Sequence, residues 1–381
     1  MNQCENLSAK RKNAPFRYDV VGSFLRPEAL KKARKDYRGG MISKEKLKEV
    51  EDREILKLVQ KEKDAGLQSV TDGEFRRSWW HLDFMWGLQG VERKNLKKGY
   101  LFHDEVTRGE TASLSGKISG ENHPFLEHYR FLREAAGNDV LARQTIPAPA
   151  QFLAELYRAE NKDATDRIYP DIEMLIKDIS SAYQTVLSDL YQAGCRNVQI
   201  DDCTWGMFCD QKYWQARQDN KVDLKSLADL YLKANNMALE SCPADLTVNT
   251  HVCRGNYHST WAASGGYEPI AEVLFGGENV SAYYLEFDSD RCGDFSPLRN
   301  VPADKLVVLG LVSSKTPQLE DKETLIARIR EAERYVPLER LCLSPQCGFA
   351  STEEGNLLTE ADQWAKIALV REVAQEVWKD C

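Results

Sequence analysis

Eight short runs of strand-forming residues alternate along this chain with long stretches of helical period. That alternation limits the fold more than any other feature. The runs lie at 18–22, 68–71, 141–146, 197–200, 247–251, 282–286, 306–311 and 340–344. Between them, segments such as 46–63 place Leu47, Val50, Ile55, Leu58 and Val59 on one helical face. The segment 170–193 does the same, with Pro170 suited to a first turn and Gly194 to the stop. Strands separated by helices build parallel βαβ units. One unit even echoes another: Asp64-Ala65-Gly66 leads to Asp72-Gly73-Glu74, as Gln192-Ala193-Gly194 leads to Asp201-Asp202. The expected fold is therefore α/β, a TIM-type (β/α)8 barrel, with functional residues at the carboxyl ends of its strands. An open doubly wound sheet fits less well, because no Gly-x-Gly-x-x-Gly turn follows the first run.

A barrel can use most of the 381 residues. Residues 1–16 are polar and mixed in charge and read as a loose tail, leaving 17–381 as one barrel. The stretch 79–138 is too long for a simple βα connection. It reads as an insertion after the second strand, over the barrel mouth, with 98–105 and 113–119 pairing as a hairpin. A net charge of −8 gives no support for nucleic-acid or membrane-surface binding. No apolar run reaches transmembrane length, and the start lacks the apolar core of a signal peptide. The ten cysteines are scattered rather than framed, as in a protein of a reducing compartment, so a cytoplasmic location is expected.

The strand ends carry the chemistry. His251 and Cys253 close the fifth run, Glu286 the sixth, and Cys347 follows the eighth. In an extended chain His251 and Cys253 share one side. Imidazole, two thiolates and a carboxylate suit zinc, and the thiolates argue against magnesium or calcium. Carboxylates also gather there, in Asp72-Gly73-Glu74 and Asp201-Asp202; the competing role for such residues is helix capping.

These segments resemble those of a known family. His251-Val252-Cys253, Glu286 and Pro345-Gln346-Cys347-Gly348 look like the zinc-ligand segments of cobalamin-independent methionine synthase. Val21-Gly22-Ser23-Phe24, Asp72-Gly73-Glu74 and Gln199-Ile200-Asp201-Asp202 resemble its substrate segments. The likeness runs from about 18 to 378 in one order, and is strongest to short, single-barrel members. It implies zinc as cofactor and methyl transfer from a 5-methyltetrahydrofolate polyglutamate to homocysteine. It also implies that Glu74 and Asp201 bind the amino group of homocysteine, and Gly22 and Ser23 its carboxylate. Zinc would hold the substrate sulfur as the nucleophilic thiolate.

The sequence departs from the family at one place. The long enzymes carry a histidine acid after the seventh strand, and here Lys315 stands in that segment, as a proton donor or an anion binder. A different donor, a protein partner that supplies it, another small thiol such as coenzyme M, and a homo-oligomer all stay open. Trp79 and Trp80 are placed to stack on a pterin or to pack a core. The basic run Arg93, Lys94, Lys97 and Lys98 reads better as a solvated face than as a polyglutamate contact.

Overall fold

The computed structural model describes residues 11, 13–219, 222–379 and 381. The tail expectation for 1–10 and 12 lies outside them. The rest of the expected tail is not loose: Ala14 and Phe16 are buried, and Arg11 donates to the Pro15 carbonyl at 3.0 Å.

Ten strands form among the described residues. They are β1 (Ser69–Val70), β2 (Gln89–Asn95), β3 (Glu110–Ser119), β4 (Leu141–Ala142), β5 (Gln144–Pro147), β6 (Asn197–Asp202), β7 (Thr247–Val252), β8 (Ala282–Glu286), β9 (Leu306–Val312) and β10 (Leu341–Pro345). Strands β5 to β10 lie side by side in chain order, all parallel. β1 pairs in parallel with β4, which leads through Arg143 into β5. The ring closes through the first run, which is not a continuous strand here. It makes two isolated parallel bridges, Tyr18 to Leu343 and Ser23 to Gly73. The chain is thus a TIM-type (β/α)8 barrel, and each expected strand run contributes one stave.

A stave covered on both faces should be apolar throughout rather than alternating. β9, Leu-Val-Val-Leu-Gly-Leu-Val, fits this: all but its first residue are buried. The helices follow their end signals. Ser43 caps Lys44–Asp64 by accepting from Lys46 N, and Thr359 forms a capping box on Glu360–Val377. Pro170 falls outside its helix, because the Asp171 carboxylate caps Ile172–Gln192 and so starts it two residues later than expected. Gly194 stops that helix with φ 94°, a conformation that costs glycine little.

The inserted segment does contain a hairpin; the expected 113–119 lies within β3, but its partner strand is β2 rather than 98–105. β2 pairs antiparallel with β3, with Val91 opposite Leu114. The segment 98–105 lies in the connection between them, where the one bridge is Leu101 to Val106. β2 went unread because it is half-exposed or exposed along its whole length and carries no apolar alternation. No helix among the described residues is long and apolar enough to cross a membrane.

Candidate metal and substrate site

Parallel register fixes which strand ends meet. Asp201 on β6 lies opposite His251 on β7, and His251 opposite Tyr284 on β8. Just beyond these ends, Cys253 and Cys347 approach to 3.5 Å between sulfurs. His251, Cys253 and Cys347 present ligand atoms all within 4.8 Å of one another, and all three are buried. The His251 Nδ1 faces the Tyr284 carbonyl at 3.3 Å. A proton donated there leaves Nε2 with its lone pair, and Nε2 is buried without a partner. Both thiols are pushed well above the usual thiol range. For Cys347 the largest cause is contact with Cys253, followed by burial; for Cys253 it is contact with Cys203. Crowded, protonated sulfurs beside an unpartnered imidazole nitrogen are a donor set that a thiophilic divalent cation would satisfy by displacing protons. The residues present therefore fit a zinc-type metal.

Glu286 does not join this cluster. Its Oε2 pairs with Arg291 Nη1 at 3.3 Å and lies 3.8 Å from Arg254 Nη1, while Oε1 is buried and unpartnered. Burial alone would raise its pKa, but Lys315, Arg291 and Arg254 outweigh it and hold it below the usual value. The two guanidiniums hold the carboxylate to one side. The structure thus brings together three of the four expected ligands and leaves the fourth beside them.

The cluster sits in the wall of a cavity of about 750 Å³, which Ser23, Glu74, Asp201 and Cys203 also line. Glu74 has φ 61°, unusual for a residue with a Cβ, and Asp72 supports that turn by accepting from Glu74 N at 2.8 Å. Glu74 Oε1 accepts from Arg77 and Thr145, whereas Oε2 is buried and unpartnered. Asp201 accepts from Gln199 Nε2 at 2.9 Å. Burial raises both carboxyls, and the negative charge of Glu74 adds to the rise at Asp201, which goes well above the usual range. Asp202 takes the capping role instead, accepting from Thr204 N at 2.8 Å. Ser23 lies against Gly348, where an added Cβ would come within 1.9 Å of the Ser23 hydroxyl oxygen. Gly22 does not line the cavity, and neither does Lys315. Lys315 is buried behind the wall, where Nζ donates to Asn256 Oδ1 at 3.3 Å.

Several cavity residues were not singled out in the sequence as parts of a site. Cys203 contacts Cys253 closely enough to raise its pKa. From the insertion, His81, Tyr100 and Phe102 line the cavity, beside Trp80, which the sequence had offered for stacking. Trp79 lines it too, but its ring is buried and its Nε1 donates to Glu110 Oε2 at 2.7 Å. The basic run stays away from the cavity: Arg93 pairs with Glu110, and Lys94 donates to the Glu160 carbonyl.

A (β/α)8 barrel with a buried imidazole–dithiol cluster and carboxylates at the carboxyl ends of its strands has the architecture of an enzyme. Known proteins place it more closely. Residues 169–375, more than half the chain, match the family model described as the catalytic domain of cobalamin-independent synthase. The uncharacterized protein YxjH of Bacillus subtilis (strain 168) is 45% identical over 379 residues, 99% of each chain. A crystal structure of the putative vitamin-B12 independent methionine synthase from Listeria monocytogenes superposes with a TM-score of 0.76 at 38% identity. It covers 97% of this chain and 99% of that one. A B12-independent methionine synthase from Shewanella sp. W3-18-1, at 19% identity and TM-score 0.73, shares the fold over 96% of this chain and 98% of that one. The chain belongs to the cobalamin-independent methionine synthase family.

Proposed function

We propose that this protein is a zinc-dependent methyltransferase that moves a methyl group from a 5-methyltetrahydrofolate to the sulfur of homocysteine, forming methionine. One observation carries the reading. The unpartnered His251 Nε2, the Cys253 and Cys347 thiols, and the two raised carboxyls of Glu74 and Asp201 share one cavity. His251, Cys253 and Cys347 would hold the metal, with Glu286 beside them. Bound zinc supplies a Lewis acid that keeps a substrate sulfur deprotonated at neutral pH.

The chain's own residues supply the rest. Glu74 and Asp201 accept from the substrate ammonium, whose charge favours their ionised forms. Ser23, which lines the cavity, faces the substrate carboxylate, whereas Gly22 lies behind the wall. The inserted segment and the barrel mouth hold the methyl carbon in line with the sulfur and exclude bulk water. The sulfur lone pair forms the new S–C bond, the C–N bond of the donor breaks, and its nitrogen takes up a proton. The position of Lys315 behind the wall supports a role in holding Glu286 by charge rather than in touching the donor. We also read 17–381 as one catalytic barrel with 79–138 as its cover, since several residues of that segment line the cavity. A cytoplasmic location fits a site that depends on free thiols. Coenzyme M fits this cavity poorly as the thiol, because a sulfonate would meet two carboxylates and no ammonium would satisfy them.

Zinc-edge X-ray absorption with and without homocysteine tests the reading. A further sulfur should enter the metal shell when homocysteine is added, and Cys347→Ser should lose both metal and activity. An unchanged metal shell, or full turnover by metal-free protein, would overturn it.

A further inference from the structure

The connection between β2 and β3 ends in a tip, 101–106, beyond a pairing of Tyr100 with Thr107. There Thr107 N donates to the Tyr100 carbonyl at 3.0 Å, and Tyr100 N to Thr107 Oγ1 at 2.9 Å. Leu101 and Phe102 of the tip line the cavity. The tip is lightly held. Leu101 and Val106 are 76% and 54% exposed, so it buries little apolar surface. Its polar anchors are few. His103 N donates to the Trp261 carbonyl at 2.8 Å, Thr260 Oγ1 to Asp104 Oδ1 at 2.7 Å, and His258 Nδ1 to Glu105 Oε2 at 2.8 Å. The Asp104 and Glu105 side chains are 69% and 40% exposed, and polar contacts in water contribute little. Elements held in this way open first.

All three anchors stand on one segment, 257–261, in the loop that follows Cys253. Tyr257 and Thr260 pair across a tight turn, with Thr260 N donating to the Tyr257 carbonyl at 2.8 Å. The two residues between them, His258 and Ser259, have φ of 45° and 67°. Two successive left-handed residues with a Cβ are strained, and the turn keeps this shape only while its partners hold it.

A chain of amides leads from that turn to the loop of another proposed metal ligand. Ser259 N donates to Asn356 Oδ1 at 3.0 Å. Asn356 Nδ2 donates to Asn256 Oδ1 at 2.9 Å, and Asn256 Nδ2 to the Gly348 carbonyl at 2.7 Å. Gly348 follows Cys347 directly. Lys315 Nζ donates to the same Asn256 oxygen at 3.3 Å. Asn256 is buried, and both ends of its amide are engaged in this crossing.

We propose that 101–106 is a lid latched to the turn at 257–261, and that Asn256 is a positioning residue tying this latch to the Cys347 loop. When the lid lifts, the strained turn relaxes and Asn356 loses its hold on Ser259. Through Asn256 the Gly348 carbonyl then loosens, so the loop carrying Cys347 is fully set only under a shut lid. The inference rests on Cys347 holding the metal and uses none of the substrates of methyl transfer.

Hydrogen exchange of the full chain tests it, because the His103 amide reports the latch and the Ser259 amide reports the relay. Asp104→Ala combined with Glu105→Ala should speed exchange at both amides about fivefold, the effect of two exposed contacts. Asn256→Ala, whose site makes none of the lid's hydrogen bonds, should speed His103 by a similar factor, because coupling is reciprocal. Joining the lid and Asn256 changes should give less than the product of their effects. Amides of β9 report general stability, so the ratio of His103 to β9 exchange is the quantity read. Release of zinc from the loaded chain to a chromogenic chelator should also be about fivefold faster in each variant. If Asn256→Ala fails to fold, Asn256→Asp decides, since it keeps the acceptor and loses the bond to Gly348. An unchanged ratio in the Asn256 variant, or zinc release unaltered by the lid changes, would overturn the coupling. A His103 amide as protected as those of β9 would remove the lid itself. A chain that takes up no zinc sinks the metal reading, and exchange at His103 and Ser259 still decides the latch.

Discussion

Glu74 and Asp201 are adjacent acids in one buried cavity, both raised, with the outer oxygen of Glu74 left unpartnered. A ligand ammonium would relieve both conditions. Glu74→Gln keeps the shape and removes the charge, so homocysteine should bind about 10- to 100-fold more weakly, the range for a charge-assisted hydrogen bond. A thiol of similar length without the amino group should bind wild type and variant alike. Calorimetry with both thiols checks this, and equal losses for the two would refute the ammonium role. At this scale the sequence named the acids but could not sort them. Asp72 and Asp202 stand in the same motifs and are spent on a turn and a helix cap. Only the hydrogen-bond partners separate capping acids from acids that face the cavity. Glu286 shows the same limit, because its place at a strand end was readable but the hold of Arg254 and Arg291 on it was not.

At the scale of elements, the His251, Cys253 and Cys347 cluster depends on strand ends arriving in register, and the helices behind them carry buried acids of their own. Glu278 follows the helix Ala271–Gly277 and accepts from Asn235 Nδ2 at 2.7 Å; the same amide donates to Asp202 at 2.9 Å. Burial, and then the charge of Asp202, push Glu278 up to about 8. Between its ordinary value and about 8 the folded state holds a proton that the unfolded state has lost. The slope of stability against pH is then negative. The stability this proton brings is complete below the unfolded pKa and is lost as pH rises towards 8. Glu278→Gln should flatten that decline, and urea unfolding midpoints at pH 5 and pH 8 measure it. An identical decline in both proteins would show that Glu278 does not titrate as stated. The helices and staves were largely legible, since their period and caps are written locally in residues such as Ser43 and Thr359. β2 was not, because its polar residues gain their strand only by pairing with the buried Ala112 and Leu114 of β3.

At the scale of the whole molecule, a barrel must close, and this one closes where backbone pairing is thinnest. Between the first run and its neighbours there are two isolated bridges. Side chains take up the task. Arg143, at the joint of β4 and β5, donates to the Val20 carbonyl and to Asp19 Oδ2, both at 2.6 Å. Tyr284 on β8 donates its hydroxyl to the same Asp19 oxygen at 2.8 Å. Three staves from distant parts of the chain thus meet on one carboxylate, and the Arg143 and Asp19 side chains are 0% and 1% exposed. The eight units were visible in the sequence because each is local. This clasp was not, because nothing in the spacing of Asp19, Arg143 and Tyr284 marks them as neighbours. Arg143→Leu would strand the Asp19 charge in the interior and should cost about 3–5 kcal/mol of stability, as for other broken buried pairs. Adding Asp19→Asn removes the stranded charge and should restore part of the loss. Urea unfolding of the two variants measures both effects. A single variant within about 1 kcal/mol of wild type, the range of an exposed pair, would show that the backbone bridges alone close the barrel.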